Sequence, residues 1–162
     1  MHRALILLVE DNEDHVFLLK HAFAKAEVTN PLHVATTGED AIAYLDGTEP
    51  YSDWNKFPLP ALVLLDLKLP GCDGFHVLKW IRKHPGLKAL RVAMLTSSDL
   101  DHEIKTAYDT GANVFLTKPV DLDRLVEMMR VFRAHWLEFA QAPEISRSPQ
   151  TAGQNKPSQT CR

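Results

Sequence analysis

The sequence predicts an α/β fold, a five-stranded parallel sheet doubly wound by helices. Two observations carry this. Short unbroken apolar runs alternate along the chain with amphipathic stretches, as buried parallel strands and their crossover helices require. Caps and Gly or Pro stops separate the runs, giving strands and helices in equal number that right-handed crossovers join into one sheet.

Residues 4–9 form an unbroken apolar run suited to a strand covered on both faces. Val16, Leu19, Phe23 and Ala26 recur at helical spacing over residues 13–26. Residues 32–35 read as a second short strand. Thr37 is placed to cap a helix over residues 39–45, and Gly47 to end it. Residues 61–65 are the clearest buried strand. Val77, Leu78 and Ile81 share one side of a helix over residues 75–83, stopped by His84-Pro85-Gly86. Residues 92–95 give a fourth strand. A helix over residues 100–108 ends at Thr110-Gly111, and residues 114–116 give the fifth strand. Asp121 caps a last helix that runs to about residue 141.

At 162 residues the chain suits one domain, expected over residues 1–142. Residues 143–162 are rich in Ser, Gln, Thr and Pro and are expected to be a disordered tail. A net charge of -3 gives no reason to expect nucleic acid or an anionic membrane as partner. No apolar run approaches the ~20 residues that cross a bilayer. The opening Met1-His2-Arg3 does not read as a secretory signal. Cys72 and Cys161 lack metal-ligand spacing and are expected as reduced thiols in a cytoplasmic protein. Residues 48–60 make a long connection with Pro50, Pro58, Pro60, Tyr51, Trp54 and Phe57.

Open parallel sheets bind ligands at the carboxyl ends of their strands. The first strand ends in Glu10-Asp11, the third in Asp66, the fourth in Thr96-Ser97-Ser98 and the fifth in Lys118-Pro119. Each alone has an ordinary reading as a cap, a solvated loop or a surface lysine. Together they converge on one edge and fit a Mg²⁺-assisted phosphoryl site. Clustered carboxylates repel and need a cation, and Mg²⁺ prefers oxygen ligands. Such an ion also shields an incoming phosphoryl group. Lys118 adds a fixed positive charge, and the Thr96 hydroxyl can donate to a phosphoryl oxygen.

Four stretches carry a resemblance: Leu7-Leu8-Val9-Glu10-Asp11-Asn12, Leu64-Leu65-Asp66-Leu67-Lys68-Leu69-Pro70-Gly71, Met94-Leu95-Thr96-Ser97-Ser98 and Phe115-Leu116-Thr117-Lys118-Pro119. Over residues 4–132 the chain resembles the receiver domain of two-component response regulators, of flavodoxin-like fold. The resemblance implies that Asp66 accepts a phosphoryl group from a sensor histidine kinase. It implies that Asp11 binds Mg²⁺ directly, Glu10 through water, and the Lys68 backbone carbonyl as a further ligand. Thr96 becomes the switch hydroxyl, Phe115 the aromatic switch residue, and Lys118 the partner of the aspartyl phosphate. Phe115 also reads as plain core. A cis Lys118–Pro119 peptide is implied, as is a rim of Lys68 and Ser98 that tunes phosphate lifetime. The protein would then be no enzyme acting on other substrates, only one that assists its own phosphorylation and dephosphorylation.

The long connection and the extended last helix resemble single-domain regulators that partner phytochromes. Leu122, Leu125, Val126, Met129 and Phe132 form the stripe that covers the sheet, while Met128, Val131, Trp136 and Leu137 lie partly off it. A homodimer through Trp136 and Phe139 is therefore expected. A haloacid-dehalogenase-type phosphatase would need a second Asp where Lys68 stands. A flavodoxin-like nucleotide or flavin binder would need a phosphate-cradling loop where Glu10-Asp11-Asn12-Glu13-Asp14 would repel phosphate.

Overall fold

The structure is a computed structural model that describes residues 4–97 and 100–137. The elements follow as β1 (Ile6–Val9), α1 (Glu13–Lys25), β2 (Leu32–Ala35), α2 (Gly38–Asp46), β3 (Leu62–Leu65), α3 (Gly74–Lys83), β4 (Arg91–Thr96), α4 (Asp101–Thr110), β5 (Val114–Thr117) and α5 (Leu122–Phe132). The five strands form one parallel sheet in the order β2-β1-β3-β4-β5. The predicted fold class holds.

The pleat explains the unbroken apolar strands. Ile6, Leu8, Leu62, Leu64, Ala93 and Leu95 pack with Leu19, Phe23, Val126 and Met129 of α1 and α5. Their neighbours Leu7, Val9, Val63, Leu65, Val92 and Met94 pack with Tyr44, Val77, Leu78 and Ala107 of α2, α3 and α4. Each face is covered, so both sets of alternating residues are apolar. Register then builds the site edge. Val9 pairs with Leu65, so Glu10 and Asp66 leave the sheet side by side.

Local caps agree with the sequence. The Thr37 hydroxyl accepts from the Asp40 N–H at 3.0 Å, and Gly47 ends α2 with φ 73°. The Asn12 side chain caps α1, accepting from the N–H groups of Asp14 (2.9 Å) and His15 (3.2 Å). Gly74 opens α3 directly beneath the site. A Cβ there would lie 2.2 Å from the Asp66 carbonyl oxygen, so only glycine allows the helix this close.

The long connection is packed rather than open. Tyr51 donates to Asp40 Oδ1 at 2.7 Å, and Tyr44 donates to the Pro58 carbonyl at 2.8 Å. The rings of His33, Tyr44, Tyr51 and Phe57 lie on one another, with the His33 centroid 4.5 Å from that of Tyr44. Burial and the Asp40 carboxylate push the Tyr51 hydroxyl up to about 12, and burial holds His33 below its ordinary value.

Two expectations change. The last helix leaves α geometry at Phe132 and continues as a π-helical turn, Arg133–Leu137. This wider turn accompanies burial of Leu137 and a hydrogen bond from Arg133 Nη1 to the Glu27 carbonyl at 3.3 Å. Among the described residues the cis peptide bond is Glu49–Pro50, so Lys118–Pro119 is trans. The Lys118 backbone N–H instead stays bonded to the Thr96 carbonyl at 2.7 Å, where β4 and β5 end. Cys72 is buried, at 1 % exposure, in the core on the α2–α3 side of the sheet. Cys161, Phe139, Ser98 and the expected tail lie outside the described residues. No helix among the described residues is long and apolar enough to cross a membrane.

Candidate functional site

The carboxyl edge of the sheet gathers charge in a buried place. Glu10 is 1 % exposed and Asp66 8 %, while Thr96 is fully buried at the end of β4. The backbone sets each carboxylate. Glu10 donates its N–H to the Ala35 carbonyl, and its Oε1 accepts from the Asn12 N–H at 3.1 Å. Asp66 donates its N–H to the Val9 carbonyl at 3.0 Å, and its Oδ1 accepts from the Lys68 N–H at 3.3 Å.

Lys118 closes the cluster. Its ammonium donates to Glu10 Oε2, to Asp66 Oδ2 at 3.1 Å and to His15 Nδ1 at 3.1 Å. Two carboxylates thus face one ammonium, leaving the set one negative charge over. Burial pushes the Glu10 carboxyl up from 4.5 to about 7. The Lys118 hydrogen bond opposes that shift, and the nearby Asp66 charge adds to it.

Of the residues singled out in the sequence, Glu10, Asp66 and Lys118 are in contact and Thr96 borders them. Asp11 and the Lys68 side chain are exposed, and Asp11 is not among the residues whose potential ligand atoms gather here. Glu10, His15 and Asp66 each offer a potential ligand atom, and these atoms lie within 4.8 Å of one another. A divalent cation fits this donor set, since a cationic group already sits among the three. Phe115 is half-buried against the α2–α4 side of the sheet, and its N–H donates to the Tyr108 hydroxyl at 3.1 Å. Trp136 is half-buried on its own domain. Its ring stacks on Phe132 at 6.0 Å, and the Arg91 guanidinium lies 5.7 Å above it.

Sequence reasoning missed His15. A single histidine on the polar side of a helix carries no signal by itself. What could have found it is the cap: Asn12 opens α1 and so puts residue 15 in the first turn, above the strand ends.

The family model of the response regulator receiver domain matches residues 6–130. The chain belongs to the response regulator receiver family. This receiver is 34 % identical to the probable methanogenesis regulatory protein FilR2 of Methanothrix harundinacea, over 86 % of the chain and 87 % of that protein. It is 32 % identical to the response regulator Rcp1 of Synechocystis, over 86 % of the chain and 92 % of that protein. Among solved structures it is similar to response regulator RPA3017 in red light signalling of R. palustris, with TM-score 0.82 and 31 % identity over 88 % of this chain and 99 % of that one. It is also similar to the phosphorylated cyanobacterial phytochrome response regulator RcpA, with TM-score 0.79 and 33 % identity over 88 % and 99 %.

Proposed function

We propose that this receiver takes a phosphoryl group from a sensor histidine kinase onto Asp66, with Mg²⁺ held at the same edge, and signals by protein contact. The observation that carries the reading is the Lys118 ammonium seated between the Glu10 and Asp66 carboxylates. Asp11, Glu10, Asp66 and the Lys68 backbone carbonyl would hold the ion. When bound it offsets the negative charge of carboxylates and phosphoryl oxygens. In the transfer, an Asp66 carboxylate oxygen forms a bond to phosphorus as the phosphorus–nitrogen bond of the donor histidine breaks. The Lys68 N–H holds the other oxygen and fixes the attacking one. Lys118 follows the charge outward to the phosphoryl group, and Thr96 donates its hydroxyl to a phosphoryl oxygen. Phe115, next to Tyr108 on β5, would report that shift to the α4–β5–α5 face. In self-dephosphorylation a water oxygen would bond to phosphorus as the bond from phosphorus to the Asp66 oxygen breaks, returning the carboxylate and releasing inorganic phosphate.

Similarity to Rcp1, RcpA and RPA3017 supports a phytochrome-type kinase as the partner, in the cytoplasm. A homodimer belongs to the same proposal. It is supported by exposed Leu100, Tyr108, Val120 and Val131 on and around α4 and α5. Trp136 would lend the surface that Phe132 and Arg91 leave open.

Labelling from a phosphorylated kinase or acetyl phosphate tests the reading. Wild type should take up label in Mg²⁺, and Asp66→Asn should take up none. Label retained at the wild-type level in Asp66→Asn would move the acceptor elsewhere.

A further inference from the structure

We infer that His15 is a ligand of the cation site, and that it tilts the site from Mg²⁺ toward divalent ions that favour imidazole, such as Co²⁺ and Zn²⁺. The inference deepens the phosphoryl-site reading and rests on it. It is carried by the direction in which the imidazole is used. An ammonium has three donors and no acceptor, so His15 Nδ1, 3.1 Å from Lys118 Nζ, faces it with its lone pair. In a neutral ring the proton is then on Nε2. A ring nitrogen whose lone pair already points at a cation needs no new tautomer to become a metal ligand.

The position fits as well. The Lys118 ammonium touches Glu10, Asp66 and His15 together, and the potential ligand atoms of these three residues lie within 4.8 Å of one another. The tethered cation therefore marks a point that all three can reach. His15 Nδ1 is also 3.7 Å from Glu10 Oε1, so the imidazole and the buried carboxylate share one side of that point. Asn12 fixes the histidine there by capping α1 through the His15 N–H. The His15 side chain is 38 % exposed, which leaves a solvent side for water ligands. An all-oxygen set suits Mg²⁺, whereas a mixed set of imidazole and carboxylates suits later first-row ions.

The test uses the untagged full chain as wild type, His15→Gln, Glu10→Gln and Asp66→Asn, titrated calorimetrically with Mg²⁺ and with Co²⁺. His15→Gln should weaken Co²⁺ by about tenfold, the scale on which a metal site responds to loss of a supporting group. It should leave Mg²⁺ within about twofold, because Mg²⁺ draws little on nitrogen ligands. Electron spin-echo spectra of the Mn²⁺-loaded wild type should show coupling to an imidazole ¹⁴N, absent in His15→Gln. Equal loss of both metals, no loss of either, or no ¹⁴N coupling in loaded wild type would overturn the assignment to His15. Unchanged binding of both metals in Glu10→Gln and Asp66→Asn would instead overturn the cation site itself.

Discussion

Two partly buried cations of this receiver, Lys118 and Arg82, are held in opposite ways. Lys118 rests on two carboxylates and an imidazole, contributed by the residues just after β1 and β3 and by α1. Arg82 rests on neutral acceptors. Its Nε donates to the Gly111 carbonyl at 2.8 Å, its Nη1 to the Leu90 carbonyl at 2.6 Å and the Lys88 carbonyl at 3.1 Å, and its Nη2 to Asn113 Oδ1 at 2.9 Å. The planar fork matches that fixed set of acceptors, and no other cation of the same shape is at hand to replace it. Burial lowers the Arg82 guanidinium somewhat, yet it stays charged. Charge balance holds Lys118, and another cation can provide charge balance. A cation held by geometry works as a fastener, whereas one held by charge can be exchanged. The fastener ties α3 to the turns before β4 and β5. The exchangeable cation sits where chemistry is expected.

The largest effect should come from the fastener. Arg82→Met leaves several backbone carbonyls short of a donor and should cost about 3 kcal/mol of stability. Urea unfolding measures it, and a loss under about 1 kcal/mol would break the comparison. Lys118→Met should cost less, about 1–2 kcal/mol without metal at neutral pH, since a proton on Glu10 can relieve the carboxylates. Millimolar Mg²⁺ should restore most of that loss and none of the Arg82→Met loss. Equal rescue of the two variants would show that the cations are not held differently.

A pH series sharpens the contrast. Glu10 has a folded value of about 7 against 4.5 unfolded, so the folded state holds the extra proton between those values. Its contribution to stability is therefore full below about pH 4.5 and is lost as pH rises through about 7. In metal-free protein, wild type should lose stability relative to Glu10→Gln from about pH 5 to about pH 8. A flat difference between the two would remove the raised carboxyl. Mg²⁺ should bind more tightly over the same rise, because binding must displace that proton.

Trp136→Ala should have the smallest effect on folding, about 1 kcal/mol, from the ring contacts with Phe132 and Arg91. Sedimentation of both proteins, with and without beryllofluoride, tests the dimer. A wild-type monomer at tens of micromolar in every state would exclude it.

Much of this was legible in the sequence because strand ends in a parallel sheet share one edge. Once residues 4–9 and 61–65 read as strands, Glu10 and Asp66 had to be neighbours, and Lys118 followed from the fifth strand. Thr37 and Gly47 marked α2 by cap chemistry alone. The Arg82 fork was not legible, because its acceptors are backbone carbonyls that any residue supplies. His15 was hidden for a related reason: its role depends on height above the sheet, which the cap sets and no periodicity reveals. The π turn at residues 133–137 escaped because a helical stripe continues smoothly across it in sequence. Nor did Pro50, Pro58 and Pro60 show that Tyr51 and Phe57 would fold the long connection onto His33 and Tyr44.

The seat of Lys118 has a further consequence for how the resting protein meets metal. An ammonium bound to the chain is a competitor that dilution cannot remove. An ion that takes the same carboxylate oxygens must first displace it, so the affinity measured from outside would be the intrinsic one scaled by the fraction of time the lysine is away. Added monovalent salt screens such a buried pair poorly and should free the site little. A phosphoryl group on Asp66 would give the ammonium another place to rest. The receiver would then meet its metal reluctantly when idle and hold it more firmly once charged.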